Sequence, residues 1–291
     1  MRRLIIAALF SLVLCLSTLN AQITMGSLNL PGPDAKKSPI DKIQFIVQYE
    51  LTFIQDTSNP DKIVEETMIL KVGEKTSQFY SYTKFVTDSL LRAQMEKNGG
   101  MIRREGPPGG STNEGQITYQ IYKNYPEGKV TTLDRLGPSQ YRCEEKNEYP
   151  EWQVSSDTAT MLNYLCYKAT CRFKGRDYTV WFTPEIPRSE GPWKLSGLPG
   201  LILQAEDSQR HFVFECTGLL NARPDEMILY GADNYEPVSR SVLNKAYERF
   251  STDPIGFIKS SAPNMQIMIR TPDGEGVSPK NIPYNPIELS E

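Results

Sequence analysis

The sequence predicts a mainly β fold, a curved antiparallel sheet or incomplete barrel with minor α content in one or two short helices. Three observations predict it. Over residues 43–52, Ile43, Phe45, Val47, Tyr49 and Leu51 alternate with Gln44, Ile46, Gln48, Glu50 and Thr52, the period-2 texture of a half-buried strand. Further strand-like segments follow at hairpin spacing as far as residue 217, divided by turn residues such as Lys174-Gly175-Arg176 and Asp207-Ser208-Gln209-Arg210. Only residues 89–97 and 242–250 combine strong helix formers with helical spacing.

Taken in order, the chain opens on Arg2 and Arg3, an apolar run over residues 4–16 and the small residue Ala21, the three-part pattern of a secretory signal peptide cleaved after residue 21. The apolar run is shorter than the roughly 20 residues of a membrane-crossing helix. Leu14 precedes Cys15 where a lipid-attachment site wants a small residue, so Cys15 reads as part of the discarded signal. Residues 22–42, with Pro31, Gly32, Pro33 and Pro39, read as a flexible leader. The first strand is followed by Met68, Leu70 and Val72, a turn over residues 71–75 and a third strand over residues 78–82, an antiparallel meander. Helix 89–97 ends at Asn98-Gly99-Gly100, and the glycine- and proline-rich residues 106–111 form a loop. Gly110 and Gly115 fit the spacing of a phosphate-binding loop, but Gln116 stands where that loop needs Lys. Strands are expected again at 117–122, 129–133, 141–145, 152–154, 165–173, 178–183, 201–205 and 211–217. The polar residues 155–160 read as a turn centred near Asp157, and residues 251–291, rich in Pro and Gly, as an extended C-terminal segment. Residues 43–250 then form a single β-rich domain.

Composition narrows function by exclusion. The 291 residues carry 32 Lys and Arg against 35 Asp and Glu, one histidine and five cysteines. Removing residues 1–21 takes away Arg2 and Arg3 and no acid, so the formal charge moves from −3 to −5. That balance leaves no basic face for nucleic acid. No second long apolar stretch follows Ala21, so no transmembrane span is expected after cleavage. His211 alone cannot build an H-E-x-x-H or other multi-histidine zinc site, and the sequence points to no metal or cofactor. A triad needs only one imidazole, which leaves Ser196 with His211 as the nucleophilic alternative. Yet Lys194 and Leu198 flank Ser196 where a G-x-S-x-G elbow has glycines. Glu185, Glu190, Glu206 and Asp207 supply the other catalytic alternative, a carboxylate pair.

Cys143, Cys166, Cys171 and Cys216 remain after cleavage, an even number that favours disulfides in an exported protein. Cys166 and Cys171 on one strand stand roughly 16 Å apart at about 3.3 Å per residue, too far to pair with each other. Two connectivities survive: 143–166 with 171–216, or 143–171 with 166–216. A hairpin near Asp157 favours the second, and each bridge would stabilise the fold by about 2–4 kcal/mol.

The most distinctive stretch is Tyr178-Thr179-Val180-Trp181-Phe182-Thr183-Pro184-Glu185-Ile186-Pro187, followed by Gly191-Pro192-Trp193-Lys194-Leu195-Ser196-Gly197-Leu198-Pro199-Gly200-Leu201-Ile202-Leu203. Pro184 and Pro187 end a strand, and Pro199-Gly200 suits the centre of a type II turn with positive φ at Gly200. Gly197-Leu198-Pro199-Gly200-Leu201-Ile202 resembles the sequence after which the GLPGLI family of exported bacterial proteins is named. The flanking Trp181, Gly191-Pro192-Trp193, Cys166 to Cys171, Gly175-Arg176 and Tyr284-Asn285-Pro286-Ile287-Glu288 are similar to that family too. The resemblance implies the periplasm or cell envelope of a Gram-negative bacterium and no established activity. Trp181, Trp193 and Arg176 are the candidate ligand or partner surface. The expected function is a non-enzymatic binding or accessory protein for an envelope protein, peptide or lipid. Its alternative is a periplasmic hydrolase using Ser196/His211 or a carboxylate pair. Asp88-Ser89-Leu90 and Asp157-Thr158-Ala159 resemble bacterial O-glycosylation sites at Ser89 and Thr158.

Overall fold

A computed structural model describes residues 37–97, 117–263 and 282–289. The strands are β1 (Ser38–Ile54), β2 (Ile63–Gly73), β3 (Ser77–Ser81), β4 (Gln120–Lys123), β5 (Lys129–Leu136), β6 (Ser139–Lys146), β7 (Gln153–Met161), β8 (Tyr164–Phe173), β9 (Arg176–Thr183), β10 (Leu201–Asp207), β11 (Phe212–Asn221), β12 (Met227–Tyr230) and β13 (Glu236–Val238). The helices are α1 (Tyr82–Lys97), α2 (Arg240–Thr252) and α3 (Pro254–Ser261). The expected signal peptide, most of the leader, the glycine-rich loop at 106–111 and much of the C-terminal segment lie outside the described residues.

β1 organises the sheet. It buries Val47, Tyr49, Leu51 and Phe53 and leaves the intervening Gln48, Glu50 and Thr52 half-buried. A one-residue slip would turn that whole apolar set outward, so the alternation fixes the register. β2 flanks one side and β11 the other, both antiparallel. β1 starts at Ser38, inside the expected leader, because its first residues have a partner of their own: Ser38 stands opposite Tyr230 and Lys42 opposite Met227 on β12. The sheet order is β13-β6-β5-β4-β3-β2-β1-β11-β10-β9-β8-β7, antiparallel throughout except where β13 runs parallel to β6. This is a large open sheet, not closed into a barrel. One main core joins β1–β5 to β8–β11 and to the loop between β9 and β10, drawing Val130, Phe173, Trp193 and Leu198 into the same cluster.

Four local readings are corrected. The polar residues 155–160 form no turn but lie within β7, a sheet-edge strand whose side chains are almost all exposed; the hairpin to β8 turns at Leu162-Asn163, with φ of 50° and 68°. α1 begins at Tyr82 rather than 89, because the Ser81 hydroxyl accepts from Lys84 N at 2.9 Å and caps it. The segment beyond residue 250 contains α3: Asp253 accepts from Gly256 N at 2.8 Å, and Pro254 sits in the first turn, where its missing N–H costs nothing. Positive φ falls on Gly197 (98°) and not on Gly200. Gly200 is required for space, since a Cβ there would stand 2.1 Å from the Thr183 carbonyl oxygen.

Candidate functional site

The Gly197 to Ile202 motif is a plug packed into the main core of the sheet. Leu195, Leu198, Leu201 and Ile202 are buried, the Tyr49 hydroxyl donates to Ile202 O at 2.7 Å, and Trp152 Nε1 donates to Ser196 O at 2.9 Å. Proline and glycine set the path, and the leucines anchor it by apolar burial.

Arg176 and Trp193, expected on an open surface, are 4% and 2% exposed. Trp181 is half-buried against the core. Arg176, at the start of β9, pairs with the buried Asp207 at 2.9 Å and lies 4.9 Å from the centre of the Phe212 ring. Its other donors hold the C-terminal strap, residues 282–289: Nε reaches Ile287 O at 3.0 Å, and Nη2 reaches Asn285 Oδ1 at 2.9 Å and Pro286 O at 2.5 Å. The rigid guanidinium fork serves several carbonyl acceptors at once, which a lysine cannot do. Asn285 Nδ2 donates to Ile54 O at 2.7 Å, and Leu289 N to Lys174 O at 3.0 Å, tying the strap to both flanks. Tyr284 stacks on Tyr247 of α2, centroids 5.5 Å apart.

Beneath the strap lies a cavity of about 360 Å³, walled by Phe53, Ile121, Leu136, Trp193, Phe212 and Phe250 with strap residues over it. Polar groups converge at its margin. Lys194 Nζ contacts Glu145 and Glu288 at 2.7 Å each, and Arg240 Nη2 meets Glu145 at 2.5 Å and Thr132 Oγ1 at 3.1 Å. Burial alone would raise the Glu145 carboxyl, but the Lys194 and Arg240 charges outweigh it and hold the group at about 2. Asp134, 1% exposed, goes the other way. Burial raises its carboxyl although Thr118, Tyr247, the Arg135 backbone N–H and the Arg240 charge all favour ionisation. The Tyr119 hydroxyl is buried with no hydrogen-bond partner among the described residues, and burial, then the Asp134 charge, keep it protonated. It is a donor lacking an acceptor in a place where water is largely excluded.

Of the sequence-predicted catalytic groups, His211 and Asp207 meet at Arg176 Nη1, and the others have partners elsewhere. No hydrogen bond joins Ser196 to His211: Ser196 is buried in the plug, while His211 Nδ1 stands 3.5 Å from Arg176 and its carbonyl accepts from Ile54 N. Glu185 accepts from Leu165 N, Glu190 pairs with Lys123, Glu206 with Arg210, and Asp207 with Arg176. Asp134, Glu145, Tyr247 and Glu288 were missed, since only folding assembles them. The four cysteines among the described residues are free thiols: Cys143 on β6, Cys166 and Cys171 on β8, Cys216 on β11. The hairpin expected to bring Cys143 opposite Cys171 is absent, because β7 pairs with β8 and not with β6. Ser89 and Thr158 are both exposed. No described helix is long and apolar enough to cross a membrane, and the described residues hold no cluster of metal-ligating side chains.

The model of a family of unknown function, Porph_ging, matches residues 172–204, which run from the end of β8 through the plug into β10. That match is compatible with an uncharacterised bacterial family. No curated protein matches the chain. A solved structure of PNGF-II in the P21 space group is similar at 14% identity and a TM-score of 0.45, covering 70% of this chain and 33% of that one. The C2 form is similar at 15% identity and 0.43, covering 69% and 31%. This chain spans about a third of the length of either.

Proposed function

We propose that this is a non-enzymatic binding protein of the GLPGLI type, working in the periplasm or cell envelope after signal cleavage, and that the cavity under the strap holds its ligand. The supporting observation is the buried, unpartnered Tyr119 hydroxyl in the wall of a mostly apolar cavity of about 360 Å³, a size and lining typical of small-molecule sites. The ligand is an amphiphile with an apolar body and an uncharged oxygen acceptor at its buried end. Asp134 and Glu288, close enough to Tyr119 to act on it electrostatically, disfavour a carboxylate there. The strap is the lid, and Arg176 holds it.

Native mass spectrometry and solvent extraction of protein taken from its own envelope without detergent test this reading. An apolar adduct that weakens in Tyr119→Phe is expected. A clean apo mass in every such preparation contradicts it.

A further inference from the structure

A second cavity, of about 410 Å³, lies on the opposite face of the sheet between α1 and the segment around β12. Its floor is a polar sheet face. Lys71 stands across from Gln78, Gln78 from Tyr122, Tyr80 from Gln120, and Arg135 from Gln140, so these side chains share one side while Leu70, Phe79 and Ile121 point to the core. Lys71, Lys84 and Arg135 line it, Lys71 paired with Glu226 at 3.3 Å and Lys84 with Asp88.

The hydrogen-bond inventory is incomplete in a patterned way. Gln78 Nε2 donates to Gln120 Oε1 at 3.2 Å and to the Tyr122 hydroxyl at 2.9 Å, leaving Gln78 Oε1 to accept and Gln120 Nε2 to donate. Gln140 makes no side-chain hydrogen bond among the described residues. Arg135 Nε donates to the Tyr235 hydroxyl at 3.3 Å, and the two terminal nitrogens have no carboxylate among the described residues. Tyr80 and Phe85 meet edge to face at 5.8 Å and give one wall an aromatic surface.

We propose that this recess binds an acidic saccharide. Paired amide donors and acceptors match neighbouring ring hydroxyls, an aromatic wall matches the C–H face of a sugar ring, and a free guanidinium fork matches a carboxylate or sulfate. A bare inorganic anion would use only the last of these. The recess shares Ile117, Thr118, Tyr119 and Arg135 with the strap cavity, but the saccharide assignment rests on Gln78, Gln120, Gln140 and the Arg135 fork and not on the amphiphile reading.

Calorimetric titration of the full chain with trigalacturonate tests the assignment, with maltotriose as the neutral trisaccharide and inorganic sulfate as the bare anion. Trigalacturonate is expected to bind saturably, and maltotriose and equimolar sulfate to fail to bind or displace it. Gln140→Glu places a carboxylate opposite the half-buried Arg135; it is expected to leave the melting temperature unchanged and weaken binding by about tenfold or more. Arg135→Gln is expected to do the same to binding. No binding of trigalacturonate, equal binding of maltotriose, displacement by equimolar sulfate, or unchanged affinity in both variants overturns the proposal.

Discussion

Arg176→Met removes the guanidinium while keeping much of the side chain's apolar bulk. Asp207, 2% exposed, then retains the Phe212 backbone N–H as donor but loses its counter-charge. Breaking a buried pair in this way costs about 3–5 kcal/mol, a large share of the roughly 5–15 kcal/mol that stabilises a typical domain. The bonds to Asn285, Pro286 and Ile287 go as well, so the strap loosens at a lower free energy than the sheet. Urea unfolding followed by tryptophan fluorescence is expected to show the loss, and limited proteolysis to clip the C-terminal strap before the sheet opens. Arg176→Met with Asp207→Asn is expected to lose less than Arg176→Met alone, since no buried charge is orphaned. A stability change under about 1 kcal/mol for Arg176→Met, or a strap as protease-resistant as in the parent, would refute the clamp.

Acid sensitivity is expected from Glu145. Its pKa is lowered from 4.5 to about 2, so its contribution is present above pH 4.5 and is lost as pH falls toward 2. At about 1.4 kcal/mol per unit this is worth about 3 kcal/mol, and chemical denaturation across that window should show a limb that Glu145→Gln flattens. Asp134 has the opposite sign: its raised pKa favours the fold below its ordinary value of 3.8 and costs stability as pH rises through the folded value. Asp134→Asn is therefore expected to be at least as stable as the parent at pH 7 by thermal melting; a clear loss there would contradict the assignment. Gly200→Ala forces a Cβ into the Thr183 carbonyl and is expected to cost more than about 3 kcal/mol. Gly128→Ala, with φ of 76° but open space around it, is expected to cost about 1 kcal/mol in the same denaturation assay.

Strands with one buried face were legible in the sequence, because burial writes a period of two into β1 and β2. β7 was not: at the sheet edge both faces meet water, and its polar run imitates a turn. The Pro- and Gly-rich stretch from residue 251 read as extended because proline ends helices as well as starting them, and only the Asp253 cap decides between the two. Of the site, the motif and the strap sequence were visible, but not that Arg176 fastens the strap to the buried Asp207. The polar cluster is assembled from distant parts, with Tyr247 bonded to Asp134 from 113 positions away and Lys194 to Glu288 from 94. No local periodicity carries such pairs. Arg176 and Trp193 were distinctive enough to single out, yet side-chain chemistry alone does not separate a buried clamp from an exposed binding surface.

The central claim is that the strap encloses a ligand cavity, and a titration with the apolar fluorophore N-phenyl-1-naphthylamine tests it most directly. Leu136, 5% exposed in the cavity wall, offers a way to fill the space from within. The parent is expected to bind the probe saturably with one site, and Leu136→Trp to abolish that binding while keeping a cooperative melt. No saturable binding by the parent, or undiminished binding by a folded Leu136→Trp protein, would contradict it.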